Sequence, residues 1–264
     1  MSGLSACIAG VGVLGPGLAD WPACAAVLTG ARPYRGAPTE LPPPGVLPPA
    51  ERRRAGRVVR LALAIGGEAV THARADARSL PSVFSSSGGD GDNCHEICLA
   101  LAGRERLISP TRFHNSVHNA AAGYWGIAHG CAEASITVCA YDASFAAGLL
   151  EALAQIARDG RAVLLLAYDA DYPPPLRQHR GIADAFGVAL VLAPSGSPGA
   201  LARLEVAPAQ QSATRLDDAQ LEALRLSIPA ARSLPLLQCL AQSRGGTVML
   251  DYLEPARLAV EILP

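Results

Sequence analysis

The chain has 264 residues, 50% of them hydrophobic and 17% charged, and its formal net charge is −1. That length and composition suit one large domain or two small ones with a sizeable apolar core. The charge balance gives no electrostatic reason to bind nucleic acid or an anionic membrane.

In chain order, Ala6–Leu14 is an apolar run ending in glycines, which reads as a buried strand followed by a turn. Trp21–Leu28 is a short helix and Arg32–Ala50 a Pro-rich surface loop. Arg52–Ala73 carries Val58, Val59, Leu61, Leu63, Ile65 and Val70 at helical spacing. Ser82–Ser87 is a short strand running into Gly88-Gly89-Asp90-Gly91-Asp92, Asn93–Leu101 is a helix, and Ser109–Gly130 is a loop followed by a helix. A strand (Ile136–Tyr141), a helix (Ala143–Arg158) and two strands (Ala162–Ala170, Phe186–Leu192) follow. This alternation argues for an α/β fold with a largely parallel sheet. Beyond Pro194 the pattern changes to a strand (Ala202–Val206), two helical stretches (Asp217–Leu226, Leu234–Gln242) and two late strands (Thr247–Tyr252, Ala256–Leu263). No internal repeat is evident.

The Ala143–Arg158 stretch is apolar around nearly its whole circumference, so it predicts a helix covered on every side. The seven cysteines (Cys7, Cys24, Cys94, Cys98, Cys131, Cys139, Cys239) are odd in number and sit mostly in apolar runs, as expected of reduced thiols. The N-terminus lacks a basic region and its apolar stretch is broken by glycines and Pro16, a poor signal peptide. No run approaches the ~18 apolar residues that span a membrane. The expectation is a cytoplasmic protein with neither membrane nor nucleic acid as partner.

Several motifs bear on chemistry. Gly10-Val11-Gly12-Val13-Leu14-Gly15 matches G-x-G-x-x-G after a strand, which would present backbone N–H groups to a pyrophosphate. Pro16 follows at once, and the region about 20 residues on is the Pro-rich loop rather than a strand bearing a ribose-binding acid. The simpler expectation is close packing of a strand end, with no cofactor. Cys94-His95-Glu96-Ile97-Cys98 has no second ligand pair for zinc. Gly88–Asp92 resembles a calcium loop in composition only. His114 and His118 are four apart and could share a helical face.

A family resemblance enters over Ser109–Leu153. Ser109-Pro110-Thr111-Arg112-Phe113-His114-Asn115-Ser116-Val117-His118-Asn119-Ala120-Ala121-Ala122-Gly123 resembles the stretch leading β-ketoacyl synthases into their N-x-x-A-G helix. Ser135-Ile136-Thr137-Val138-Cys139-Ala140-Tyr141-Asp142-Ala143-Ser144 resembles their S-x-T-V-D-T-A-C-S-S nucleophile strand and elbow. Ala6–Gly15 and Arg54–Ala69 fit the first strand and first helix of that family. The resemblance covers about residues 5–195, the N-terminal half of a thiolase-type fold.

Two departures stand out. Aligning Val138 with the family's valine puts Asp142 where the nucleophilic Cys belongs, and a carboxylate there forms no acyl thioester for chain extension. It also faces the helix N-terminus that would stabilise a thiolate and an oxyanion. Cys139 lies three residues too early to replace it. Active synthases also carry two further catalytic residues, usually histidines, in a second half of the fold; beyond His129 this chain has only His179.

The resemblance therefore implies a thiolase-like half (residues 1–195), a mostly parallel five-stranded sheet with helices on both faces. A short α+β segment (196–264) packs on the same core, as a reduced second layer over the Ala143–Arg158 helix. It implies a chain-length-factor subunit without catalysis of its own. Such a subunit pairs as a heterodimer with a full-length β-ketoacyl synthase, and indirectly with an acyl carrier protein, in type II polyketide systems such as those making aryl polyenes. Ser135–Tyr141 would be the edge offered to the synthase. Phe113, Val117 and His118, with Ala121 behind them, would face the synthase's substrate tunnel; Phe113 could instead anchor its loop in this chain's own core. Two other readings stay open: a stand-alone acyl-thioester transferase or hydrolase using Asp142, His114 or His118, and a nucleotide-binding regulator using Gly10–Gly15.

Overall fold

The computed structural model describes residues 3–174, 176–182 and 184–264. Its strands are β1 (Leu4–Leu14), β2 (Ser82–Ser85), β3 (Ser135–Val138), β4 (Val163–Asp169), β5 (Phe186–Ala193), β6 (Ala202–Ala209), β7 (Gly246–Asp251) and β8 (Arg257–Leu263). Its helices are α1 (Trp21–Leu28), α2 (Pro49–Arg54), α3 (Arg57–Ala73), α4 (Gly91–Ala102), α5 (Pro110–His114), α6 (Ala120–His129), α7 (Ser144–Asp159), α8 (Leu176–His179), α9 (Ala219–Ser227) and α10 (Leu234–Ala241).

All strands join one eight-stranded sheet in the order β3-β2-β4-β5-β1-β6-β8-β7. β2 pairs parallel with β3 and β4, and every other neighbour pair is antiparallel. Hence β3, β2, β4 and β1 run one way, with β5 reversed between β4 and β1: a mostly parallel five-stranded half, as the resemblance implies. β4 and β5 are buried at every position, consistent with helices on both faces.

The sheet does not end at five strands. β6, β8 and β7 extend its β1 edge by antiparallel pairing, with β6 taking the first half of β1 (Leu4↔Val206 to Ile8↔Ala202). The late strands are thus more sheet and not a separate layer. The layer over α7 comes instead from the 3-10 turn Pro229–Ser233, whose residues share a core with Phe145, Leu149 and Leu153; α10 packs in the same core. That cover leaves Ala154 and Ala157 exposed, so α7 is not enclosed all round. On the opposite face α3 and α6 bury Leu61, Ile65, Tyr124 and Trp125 against Phe84, Leu166 and Ala189.

The glycine motif resolves as packing. Gly10 and Gly12 lie inside β1, where a Cβ at Gly12 would overlap the carbonyl oxygen of Ile65 in α3. Side chains of α3 engage amides in and beyond the motif: Val13 N–H donates to Glu68 at 2.8 Å, Trp21 N–H to the other Glu68 oxygen at 2.6 Å, and Val11 N–H to His72 at 3.2 Å. Burial raises the Glu68 pKa against those stabilising amides. The helix expected over 52–73 is two helices, broken where Ala55 turns extended and Gly56, against the Asp90 carboxylate, opens α3.

Candidate functional site: the elbow between β3 and α7

β3 is the outermost strand on its side, paired only to β2 (Ser82↔Ser135 to Ser85↔Val138). It ends at Val138, shorter than the strand expected over 136–141, because Cys139 and Ala140 leave the ladder and a 3-10 turn (Tyr141–Ala143) runs directly into α7. Two serines fix this elbow. Ser144 Oγ donates to Tyr141 O at 2.7 Å and accepts the Ala140 N–H at 3.0 Å, while Ser85 Oγ donates to Ser144 O at 2.6 Å. Tyr141 has φ +53°, a left-handed conformation costing a non-glycine residue about 1 kcal/mol. Its exposed ring lies under the Arg180 guanidinium, 3.6 Å from centroid to Cζ.

Asp142, the residue that the resemblance puts at the nucleophile position, sits in this turn. Arg180 Nη2 donates to Oδ1 at 2.8 Å and Arg232 Nη2 to Oδ2 at 3.0 Å. Both oxygens are thereby committed to cationic donors at the positive end of α7. Arg232 also reaches Asp251 at 3.0 Å, Asp251 holds Arg225 at 2.8 Å, and Arg225 grips both oxygens of Glu222 at 2.8 Å. A chain of ion pairs therefore links the elbow to the Pro229–Ser233 turn, β7 and α9. A cleft of about 350 Å³ opens beside it, lined by Tyr141, Asp142, His179, Arg180, Leu226 and Pro229 among others.

Beneath the elbow, Asp169 at the end of β4 is fully buried, and burial pushes its pKa up to about 6. It accepts Ser87 Oγ–H at 2.6 Å, Ser87 N–H at 2.8 Å and Ala230 N–H at 2.9 Å, pinning the loop after β2 to the C-terminal segment. Cys139 Sγ is exposed and donates to Ser87 O at 3.1 Å. The Gly88–Asp92 loop is glycine-rich because Tyr172 packs on it: a Cβ at Gly88 would overlap the Tyr172 hydroxyl.

Of the residues expected at a tunnel, Phe113 is 69% exposed and Val117 54% exposed, so Phe113 is not a core anchor. His118 is exposed beside Gly89, and Ala121 is buried within the α3–α6 face. His114 and His118 share no helix, since α5 ends at His114. Buried Asn115, unforeseen from sequence, donates to Arg54 O at 2.9 Å and accepts the Tyr124 hydroxyl at 3.1 Å. Cys94 and Cys98 are exposed on α4, and among the described residues no cluster of His, Cys, Asp or Glu could hold a metal. Among the same residues no helix is long and apolar enough to cross a membrane.

No curated protein matches the sequence. Solved structures show the same fold over the whole chain. A chain from the ketosynthase (ApeO) complex with its chain length factor (ApeC) from Xenorhabdus doucetiae matches at 23% identity and a TM-score of 0.74, over 99% of this chain and 100% of that one. The ishigamide ketosynthase/chain length factor matches at 14% identity and 0.72, covering 98% and 99%. The AntDE:AntF assembly, a type II polyketide acyl carrier protein with its ketosynthase, matches at 11% and 0.74, covering 100% and 99%. The family model "Beta-ketoacyl synthase, N-terminal domain" matches residues 28–249, so the chain belongs to the β-ketoacyl synthase family.

Proposed function

We propose that this protein is a chain length factor: a subunit without catalysis of its own that pairs with an active β-ketoacyl synthase in type II polyketide chain elongation, of the aryl polyene or a similar kind. The observation that carries the reading is Asp142. At the start of the helix where a synthase would present a thiolate, a carboxylate is held between Arg180 and Arg232. It has no sulfur to form an acyl thioester, and both its oxygens are engaged. The reading divides the chain into the ketosynthase-like half, 1–195, and a C-terminal segment on the same core, 196–264, and puts its work in the cytoplasm.

The partner surface follows from the open edge. β3 offers unpaired backbone groups, Ile136 on it is 40% exposed, and exposed Leu99 on α4, Phe113 on α5, Ile127 on α6, and Leu107 and Val117 on the connections before and after α5 add apolar area. Edge pairing with such flanks suits a permanent interface of about 2,000 Å² or more. On this surface Phe113, Val117 and His118 would reach the synthase's acyl tunnel, with Ala121 supporting them from behind. A stand-alone acyl-thioester transferase or hydrolase has less support, because Asp142 is engaged by arginines and makes no ion pair with His179 among the described residues.

Co-expression with the cognate synthase tests the proposal. One co-eluting species that condenses malonyl units on the carrier protein is expected, with no turnover by this chain alone. Separate, monodisperse proteins, or condensation by the single chain, would refute it.

A further inference from the structure

We propose that Asp142 is a positioning residue: its carboxylate is a latch that holds the Arg180 stretch and the C-terminal segment closed over the elbow, independently of any partner role. The two guanidinium groups it joins come from separate parts of the chain, Arg180 from just after α8 and Arg232 from the 3-10 turn before α10. For Arg180, Asp142 is the sole carboxylate partner among the described residues, the other contact being the Tyr141 ring. Both arginine side chains are only 16% exposed, and a cation that buried requires a counter-charge. In both, Nε is buried without a hydrogen-bond partner, so the ion pairs each guanidinium makes are through its Nη groups. Arg232 keeps Asp251 if Asp142 is lost, whereas Arg180 keeps no ion-pair partner among the described residues, only the longer-range attraction of Asp169. Removing the carboxylate therefore frees the Arg180 arm first and opens the cleft that Tyr141, His179 and Leu226 line.

Trypsin reads this directly, because Arg180 must leave Asp142 to enter the protease's specificity pocket. Exposed Arg104 and Arg106, which make no ion pair among the described residues, serve as the internal reference. With Asp142→Asn, cleavage after Arg180 should rise about tenfold relative to Arg104 and Arg106. Asp142→Glu should restore part of the protection, and about 0.5 M salt should raise cleavage of the wild type at the same site by less. An unchanged ratio, or a rise shared equally by all arginines, would overturn the latch. Should Asp142→Asn fail to fold, Arg180→Gln releases the same arm and should raise cleavage after Arg177 selectively; protection of Arg177 in that variant would overturn it equally.

Discussion

Asp169 gives the fold a pH dependence whose size follows from its surroundings. Burial raises its pKa from 3.8 to about 6, while the Ser87 and Ala230 donors and Arg180 pull the other way. Because the folded-state pKa lies above the unfolded one, the native state binds the proton more tightly. This site therefore opposes folding above about pH 6, and the opposition fades as the pH falls toward 4. The full swing is about 3 kcal/mol, of which roughly 1.3 kcal/mol is recovered between pH 7 and pH 5. Asp169→Asn keeps the shape and removes the titration, but its NH₂ replaces one acceptor facing the Ser87 or Ala230 donors. Relief of the buried charge and loss of that bond offset each other near pH 7, so the decisive quantity is the difference between the two proteins across pH. Urea unfolding followed by the fluorescence of buried Trp125 measures it. The wild type should gain about 1.3 kcal/mol on the variant from pH 7 to pH 5. A flat difference, or one of opposite sign, would refute the assignment.

Other outcomes are equally specific. Ile136→Lys on the β3 edge should abolish co-elution with the synthase while shifting this chain's own stability by less than about 0.5 kcal/mol. Val117→Trp should shorten the product and Phe113→Ala lengthen or broaden it, by mass spectrometry of the reconstituted pair; an indole in the tunnel costs roughly 1–3 kcal/mol of clash. Unchanged product in both, with the complex intact, removes these side chains from the tunnel. Asp142→Cys should leave the isolated chain unable to condense malonyl units, because the thiol returns without partner groups to drive decarboxylation. Gly12→Ala should destabilise by roughly 1–3 kcal/mol in a thermal melt, since α3 must lift off β1; an unshifted midpoint would contradict that packing.

What could be read from sequence follows periodicity and local chemistry. The apolar runs 163–168 and 186–193 are buried strands, because a continuous apolar surface has nowhere else to go; the stretch 144–156 is a helix packed between the sheet and the Pro229–Ser233 turn, though not the fully covered one its composition predicts, since Ala154 is exposed. The break at 55–56 was not legible. Both flanks are good helix, and an isolated Gly56 does not by itself mark a break; the Asp90 carboxylate that would crowd a side chain at 56 is distant in sequence. The direction of the late strands was equally hidden. Alternation marks a strand but not its neighbour, and β6 joined β1 because β5 pairs the other side of β1 and leaves residues 4–8 a free edge.

The elbow divides along the same line. Asp142 could be found because a motif of fixed spacing surrounds it. The residues that give it a role are 38 and 90 positions away, and no local pattern distinguishes Arg180 or Arg232 from an exposed arginine. Asp169 did leave a trace, a lone acid closing an apolar strand, but its partners Ser87 and Ala230 lie 82 and 61 residues off. Both acids reach the Pro229–Ser233 turn: Asp169 through the Ala230 amide, and Asp142 through Arg232 two residues later. One short turn thus takes a buried hydrogen bond and an ion pair from opposite sides of the elbow, which fixes it more tightly than either could alone. A catalytic centre needs room for an acyl group at that point. In this chain that point holds Asp142 between its two arginines, and the open volume, about 350 Å³, lies beside them.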